Sequence, residues 1–389
     1  MFRVLPFAIA LLLAAPAGAA TFHVDSDADE VDVLPGDGVC ATASDTCTLR
    51  AAVQEANALA GPDTIRVPAG KYDLTHTGAG EDEAASGDLD LRGRLRVVGS
   101  GTATTIVDGK NGDRVFDVLG GARVTLAKLT VRGGNPPDSG LGGGIQTDRL
   151  SRVTLKRLLV EDNIGYVGGG IAATGRLKVV ASTVRGNTAG IGGGLAVLAD
   201  TEVRGSTFDG NMATGVASFT GHDILGQGPA TVTIVNSTVT GQIQTISFCL
   251  PAGGGCDEGA DFVLANVTAN VLSRVALSLD SGSFTLRNTI IEQCDTDLIS
   301  EGYNLIRQEG CFIAGDLSGV VIGEDPVLSS LGNHGGPTAT LVPDGVSPAT
   351  DGGSPLAPGS GGTACEATDQ RGVERPVGDR CDIGAVEAH

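Results

Sequence analysis

Tryptophan is absent from this 389-residue chain, methionine occurs twice, and all aromatic residues together make up 3%. That scarcity excludes a core built on large rings, and it argues against a sugar site that relies on strong aromatic stacking. After the first 20 positions no apolar run approaches the ~20 residues a spanning helix needs. No Cys-x-x-Cys occurs and the five histidines do not cluster, so the cysteines do not read as zinc ligands. Cationic residues are outnumbered, 26 Lys and Arg against 46 Asp and Glu, for a formal net charge of −20. Such a balance repels phosphate backbones, and nucleic acid is not an expected partner.

Glycine, by contrast, is abundant at 60 residues, without the every-third-residue period of collagen. Hydrophobic residues reach 41%, so a substantial core must be assembled from Val, Ile, Leu and Ala. Three glycine words recur: Gly142-Gly143-Gly144-Ile145, Gly168-Gly169-Gly170-Ile171 and Gly192-Gly193-Gly194-Leu195, with starts 26 and 24 residues apart. Units beginning at Val124, Val153, Leu177, Thr201, Val232, Phe262 and Phe284 align around them, each alternating apolar and polar residues over a few positions. That is a strand period repeated without reversal, and it predicts a parallel β-helix with rungs ~4.8 Å apart and strands of three to five residues.

Stacking converts each aligned position into a column. Asn163, Asn187 and Asn211, continued by Gln242, are expected to form a structural amide ladder. Arg132, Glu161, Arg185 and Asp209 form a column of alternating charge. Its plain reading is a salt-bridge ladder. Its sharper reading is catalytic, with Arg185 as base and Glu161 or Asp209 as acid or metal ligand.

The first residues read as a secretory leader: Arg3, an apolar run from Val4 to Ala15, then Ala17-Gly18-Ala19, with cleavage expected near Ala19–Thr21. Secretion or the periplasm follows, and there eight cysteines read as disulfides. The spacing makes four local pairs the economical scheme: Cys40–Cys47, Cys249–Cys256, Cys294–Cys311 and Cys365–Cys381. Beyond residues 1–20, the expected organisation is an N-terminal cap over 21–62 with a helix at 48–60, rungs over 63–324, and a loop-rich C-terminal cap over 325–389. The helix rests on a stripe of Leu49, Ala52, Val53, Ala56 and Leu59 with Thr48 as N-cap, and the first rung is placed at Ile65–Leu74.

The helix start, Cys47-Thr48-Leu49-Arg50-Ala51-Ala52-Val53, resembles the signature of bacterial CSLREA-domain proteins, with Ala51 where that motif has Glu. Asn333-His334-Gly335-Gly336-Pro337-Thr338, Asp369-Gln370-Arg371-Gly372 and Cys381-Asp382-Ile383-Gly384-Ala385-Val386-Glu387 are similar to the choice-of-anchor Q domain, with His334 as an addition. The glycine words and Phe208-Asp209-Gly210-Asn211 resemble repeats of polymorphic outer-membrane proteins. These likenesses imply a right-handed parallel β-helix, secreted or at the surface, and no defined activity.

Calcium is the one cofactor the sequence suggests. Glu81, Asp82, Asp88 and Asp90 lie in an acidic stretch where strand alternation sets Asp88 and Asp90 on one face and Leu89 and Leu91 on the other. Asp25-Ser26-Asp27-Ala28-Asp29 opens like a calcium loop, but Glu30 replaces the required Gly. Insertions over 213–230 and 243–261 are expected to border a groove for an extended glycan. The chain is expected to act as a monomeric extracellular binding or adhesion module for polysaccharide or cell-envelope glycan. The alternative is a polysaccharide lyase or glycosidase acting on an acidic glycan.

Overall fold

The computed structural model describes residues 18–137, 140–215, 221–247, 259–276 and 282–388. Among them, 27 strands join in one continuous sheet. Successive coils pair in parallel and in register, as where Arg152–Lys156 lies between Arg123–Ala127 and Arg176–Val180. The chain is thus a parallel β-helix, and right-handed crossover is the rule for such parallel connections. Each coil contributes to three faces. The first contains Arg94–Gly99, Arg123–Ala127, Arg152–Lys156 and Arg176–Val180; the second Thr105–Asp108, Thr130–Arg132, Leu159–Glu161 and Thr183–Arg185; the third Leu89–Leu91, Phe116–Val118, Ile145–Thr147 and Ile171–Ala173.

The core is the inward half of every alternation. On the first face Val97, Leu126, Leu155, Val179, Val203, Ile234, Leu264 and Leu286 form one unbroken apolar column. On the third, Leu89, Phe116, Ile145, Ile171, Leu195 and Ile224 form another, all fully buried. The few aromatics stack within this scheme, as where the Phe262 and Phe284 rings lie 5.0 Å apart. Between the first two faces the chain turns at one left-handed residue per coil: Lys128, Arg157, Ala181, Gly205, Asn236, Asn266 and Asn288 all have positive φ. Thr231–Ser247 and Asp261–Ala276 run as strands of 17 and 16 residues through this corner, longer than the alternation predicted.

The glycine words close the coil before the third face. Gly168 takes φ +68°, and a Cβ on Gly169 would overlap the carbonyl oxygens of Thr188 and Gly193. Here glycine answers both a backbone angle and a close approach between rungs.

At the N-terminal end, helix α1 (Leu49–Ala58) packs its buried Leu49, Ala52, Val53 and Ala56 into the core, and Thr48 Oγ1 accepts from Ala51 N at 3.1 Å. The stack begins earlier than Ile65, because Thr21–His23 already pairs in parallel with Pro62–Val67. The C-terminal residues lie along the flank of the stack. Asn236 Nδ2 donates to Thr368 O (2.7 Å), Asn288 Nδ2 to Thr363 O (2.9 Å), and Glu366 N to Asn266 Oδ1 (2.9 Å). Gln370 Nε2 donates to Thr207 Oγ1 (3.0 Å), and Gln370 Oε1 accepts from Thr238 Oγ1 (2.7 Å). Inside this segment the buried Arg375 pairs with Glu387 and donates to Gly384 O at 2.8 Å.

Gly169→Ala and Gly210→Ala separate the two demands on glycine. Gly210 also has positive φ, +62°, but open space where a Cβ would sit. Gly210→Ala should cost about 1 kcal/mol and Gly169→Ala distinctly more, read as apparent melting temperature; equal shifts would rule out the close-approach account.

Candidate functional site

Three polar constellations stand out on this scaffold. The first is an acidic cluster beneath the loop that follows the first coil. Asp90 and Asp117 are register partners on the third face, and one carboxylate oxygen from each of Asp88, Asp90 and Asp117 lies within 4.8 Å of the other two. All three residues are buried. Arg114 Nη1 donates to Asp88 Oδ2 (3.1 Å) and Asp117 Oδ2 (2.6 Å), while Ala84 N donates to Asp90 Oδ2 (2.7 Å). Asp90 Oδ1 and Asp117 Oδ1 are buried without a hydrogen-bond partner among the described residues.

Burial dominates the protonation of this cluster. It pushes the Asp88 carboxyl up to about 8, with the Arg114 charge opposing and the charges of Asp113, Asp90 and Asp117 adding to the rise. It pushes Asp90 up to about 7, opposed by the Ala84 amide and reinforced by Glu81, Asp117 and Asp82. Asp117 is raised in the same way.

The loop above is pinned by Arg50 from α1, wholly buried, which donates to Gly87 O (2.8 Å), Ala84 O (3.0 Å) and Asp88 O (3.2 Å) and pairs with Asp29 at 2.6 Å. Asp29 is therefore a structural anchor, with its two oxygens held by Arg50 and by the amides of Thr75 and His76, and Asp25 accepts from Cys47 N at 2.8 Å. Two of the four carboxylates expected in the cation shell fall outside the cluster. Glu81 closes its own loop by accepting from Ser86 N (2.7 Å) and Glu83 N (2.9 Å), and the exposed Asp82 sits 3.8 Å from Arg92. The residue that replaces them, Asp117, lies 27 positions beyond Asp90 in the same alternation one coil later.

The second constellation is the alternating column. Arg132, Glu161, Arg185 and Asp209 are stacked in register as the spacing predicts, and the column continues through Asp108 to Asp73. Its members hold one another: Arg185 Nη2 to Glu161 Oε2 at 2.7 Å, Arg132 Nε to Asp108 Oδ2 at 3.0 Å. Asp209 accepts from Thr240 Oγ1 at 2.6 Å. An arginine clasped by a carboxylate is a poor base, and this geometry is that of a cross-strand ion-pair ladder.

Beside it, Asn163, Asn187 and Asn211 form a buried amide ladder. Asn163 Nδ2 donates to Asn187 Oδ1 and Asn187 Nδ2 to Asn211 Oδ1, both at 2.9 Å. The fourth member is Asp223, which accepts from Asn211 Nδ2 at 2.7 Å; Gln242 instead donates to Ser273 Oγ. Asp223, only 12 residues after Asn211, takes the place that counting by coils gives to Gln242.

Three cysteine pairs are bonded, Cys40–Cys47, Cys294–Cys311 and Cys365–Cys381, and Cys249 and Cys256 lie outside the described residues.

The third constellation went unseen in the sequence. On the outer side of the first face, Arg94, Arg123, Arg152 and Arg176 are direct register partners on four consecutive rungs. Arg96 and Lys178 share the next outward column, and Lys128, Lys156 and Arg157 lie at the far end of the same strands. All nine side chains are exposed, more than a third of the 26 cations in the chain. Only Arg176 and Lys178 have carboxylate partners among the described residues, Asp200 at 3.4 Å and Glu202 at 2.8 Å. A groove of about 440 Å³ runs past Arg152, Arg176 and Lys178. A second cleft of about 570 Å³ opens between Lys128, Arg157 and Arg185 on one side and Pro337, Thr338 and Ala339 on the other. Like charges stacked directly opposite one another are destabilising, so Arg94, Arg123 and Arg152, which have no carboxylate partner among the described residues, favour an anionic ligand, while Asp200 and Glu202 relieve the end of the face at Arg176 and Lys178.

No known family model matches the sequence, and no curated protein matches it. Among solved structures the chain is similar to the crystal structure of the pectate lyase Pel9A, with a TM-score of 0.54 and 13% identity, covering 96% of this chain and 98% of that one. At that identity the likeness is one of fold.

The acidic cluster predicts a pH dependence. Asp88 and Asp90 keep their protons to higher pH in the folded chain than in the unfolded one, so the folded state binds more protons between about pH 4 and pH 8. Stability contributed here falls as pH rises through that window. In EDTA the melting temperature should decline from pH 5 to pH 8. Asp90→Asn, whose amide can donate to Asp117 Oδ1, should flatten the decline and raise the melting temperature at pH 8. A steeper decline in the variant would contradict this.

Proposed function

We propose that this chain is an extracytoplasmic binding module for an acidic polysaccharide, held along the outer side of its first face. The observation that carries the reading is the arginine column of Arg94, Arg123, Arg152 and Arg176, maintained in a chain of net charge −20. A linear polyanion lying across the rungs meets one arginine per ~4.8 Å of axis, and each carboxylate it brings relieves repulsion between neighbouring guanidinium groups. The scarcity of aromatics fits recognition by charge and hydrogen bonding more than by ring stacking. The fold shared with a pectate lyase supports a polysaccharide as the ligand class. The leader-like residues 1–20 and the three disulfides support a location outside the cytoplasm, as do the motif likenesses to CSLREA and choice-of-anchor Q proteins. Among the described residues no helix is long and apolar enough to cross a membrane.

A binding role is favoured over cleavage because the acid–base candidates Glu161, Arg185 and Asp209 are committed to ion pairs and hydrogen bonds, and the acidic cluster lies on a different face from the cations. The described residues of the insertions over 213–230 and 243–261 lie outside the four rungs that carry the basic face.

Retention on immobilised polygalacturonate and alginate, compared with neutral glucan and single-stranded DNA, tests the proposal. The protein should bind the two uronans at low salt, release as ionic strength rises, and leave the polymers intact. The doubly reversed variant Arg123→Glu/Arg152→Glu, changed only at exposed positions, should bind at least tenfold more weakly while melting no lower than the parent, because each new carboxylate faces an arginine. Appearance of unsaturated oligosaccharides would make the protein a lyase, and retention on DNA alone would overturn the glycan assignment.

A further inference from the structure

From the acidic cluster we infer that Asp88, Asp90 and Asp117 bind one calcium ion that locks the loop over residues 75–87 onto the third face. This inference is independent of the glycan reading. It rests on two observations that reinforce each other. The first is the convergence of three carboxylates from two coils, with one oxygen of each within 4.8 Å of the others. Three oxygens at that full span would lie about 2.8 Å from a common centre, near a usual Ca–O distance of about 2.3–2.6 Å, so a small inward adjustment lets a single ion touch all three. The second is that Asp90, 1% exposed, and Asp117, 4% exposed, each retain a buried oxygen with no hydrogen-bond partner among the described residues. Buried carboxylate oxygens are ordinarily satisfied, and these two belong to register partners whose like charges repel.

Arg114 answers only part of the demand. It reaches Asp88 and Asp117 through one nitrogen and forms no ion pair with Asp90. When all three carboxylates are ionised, one guanidinium leaves two negative charges in a closed space, and a divalent cation would neutralise them in place of protons. The donors are all hard oxygens, which excludes the soft-ligand metals. Calcium accepts irregular sets of six to eight oxygens, whereas magnesium demands near-ideal octahedral geometry at shorter distances. Water would complete the shell. The ion would act with Arg50, which grips the carbonyls of the same loop from the side of α1, so the consequence is a fixed N-terminal end to the stack.

The full chain, stripped with EDTA, is titrated with CaCl₂ by calorimetry and by thermal melting, in the absence of any glycan. One ion per chain, a saturating rise in melting temperature, and protection of the 75–87 loop from limited proteolysis are expected. Asp117→Asn should weaken binding at least tenfold, while Glu81→Gln should bind as the parent does. If Asp117→Asn fails to fold by circular dichroism, Asp88→Asn takes its place, and terbium luminescence of the unmodified chain, displaced by calcium, reports the site directly. No heat and no melting shift with calcium would overturn the inference. So would a preference for magnesium or manganese, or calcium binding that survives both Asp117→Asn and Asp88→Asn. Because no glycan enters the measurement, loss of the glycan reading leaves this result standing.

Discussion

Register is the constraint on which everything else in this molecule depends. In an in-register parallel stack each residue meets its counterparts one coil before and one coil after, so a side chain is selected largely by its own column. Apolar columns become a continuous core strip, as from Val97 to Leu286 on the first face. Asparagine can satisfy asparagine along the axis, and the ladder from Asn163 to Asn211 does so until Asp223 terminates it. Charges obey the same logic: alternating signs between Asp108 and Asp209 bind the second face, whereas equal signs at Arg94, Arg123, Arg152 and Arg176 leave the first face charged. A single geometric rule thus produces adhesion between coils in one column and an unmet attraction for ligand in the next.

The parts of this that could be read from sequence were those carried by repeated words. The glycine triplets, the asparagines 24 residues apart and the alternation of Arg132, Glu161, Arg185 and Asp209 all sit at fixed offsets, and the parallel β-helix follows from them. The arginine column escaped because the aligned units were taken to start at Val124, Val153 and Leu177, one residue after each arginine. Asp117 escaped for a related reason. It lies on the third face one coil before the first glycine word, so no repeated word marks its strand, and along the chain its partner Asp90 groups with Glu81 and Asp82 and not with the next coil. Counting by coils places Gln242 in the asparagine ladder, but Asp223, only 12 residues after Asn211, meets that amide instead. Proximity along the chain misled wherever proximity along the axis decided the contact.

The overall charge concealed a segregation. A composition with 46 acidic and 26 basic residues describes the average surface, yet nine cations share one side of four rungs with no carboxylate among the outward positions of those strands. A cluster of acidic side chains is buried on another face at Asp88, Asp90 and Asp117. The two poles are kept apart by the core itself, so the attraction that would otherwise collapse them onto each other remains directed outward at one and inward at the other.

The corner asparagines Asn236, Asn266 and Asn288 hold the C-terminal segment at intervals of 30 and 22 residues. Those intervals are unequal in sequence but equal in coils, one apiece. A strand threaded one residue out of step would swing its asparagine away from the flank and leave Thr368, Glu366 or Thr363 without its mate. The segment therefore works as a gauge laid against the finished coil: it seats fully only when three successive windings, built from stretches of different length, have been counted correctly.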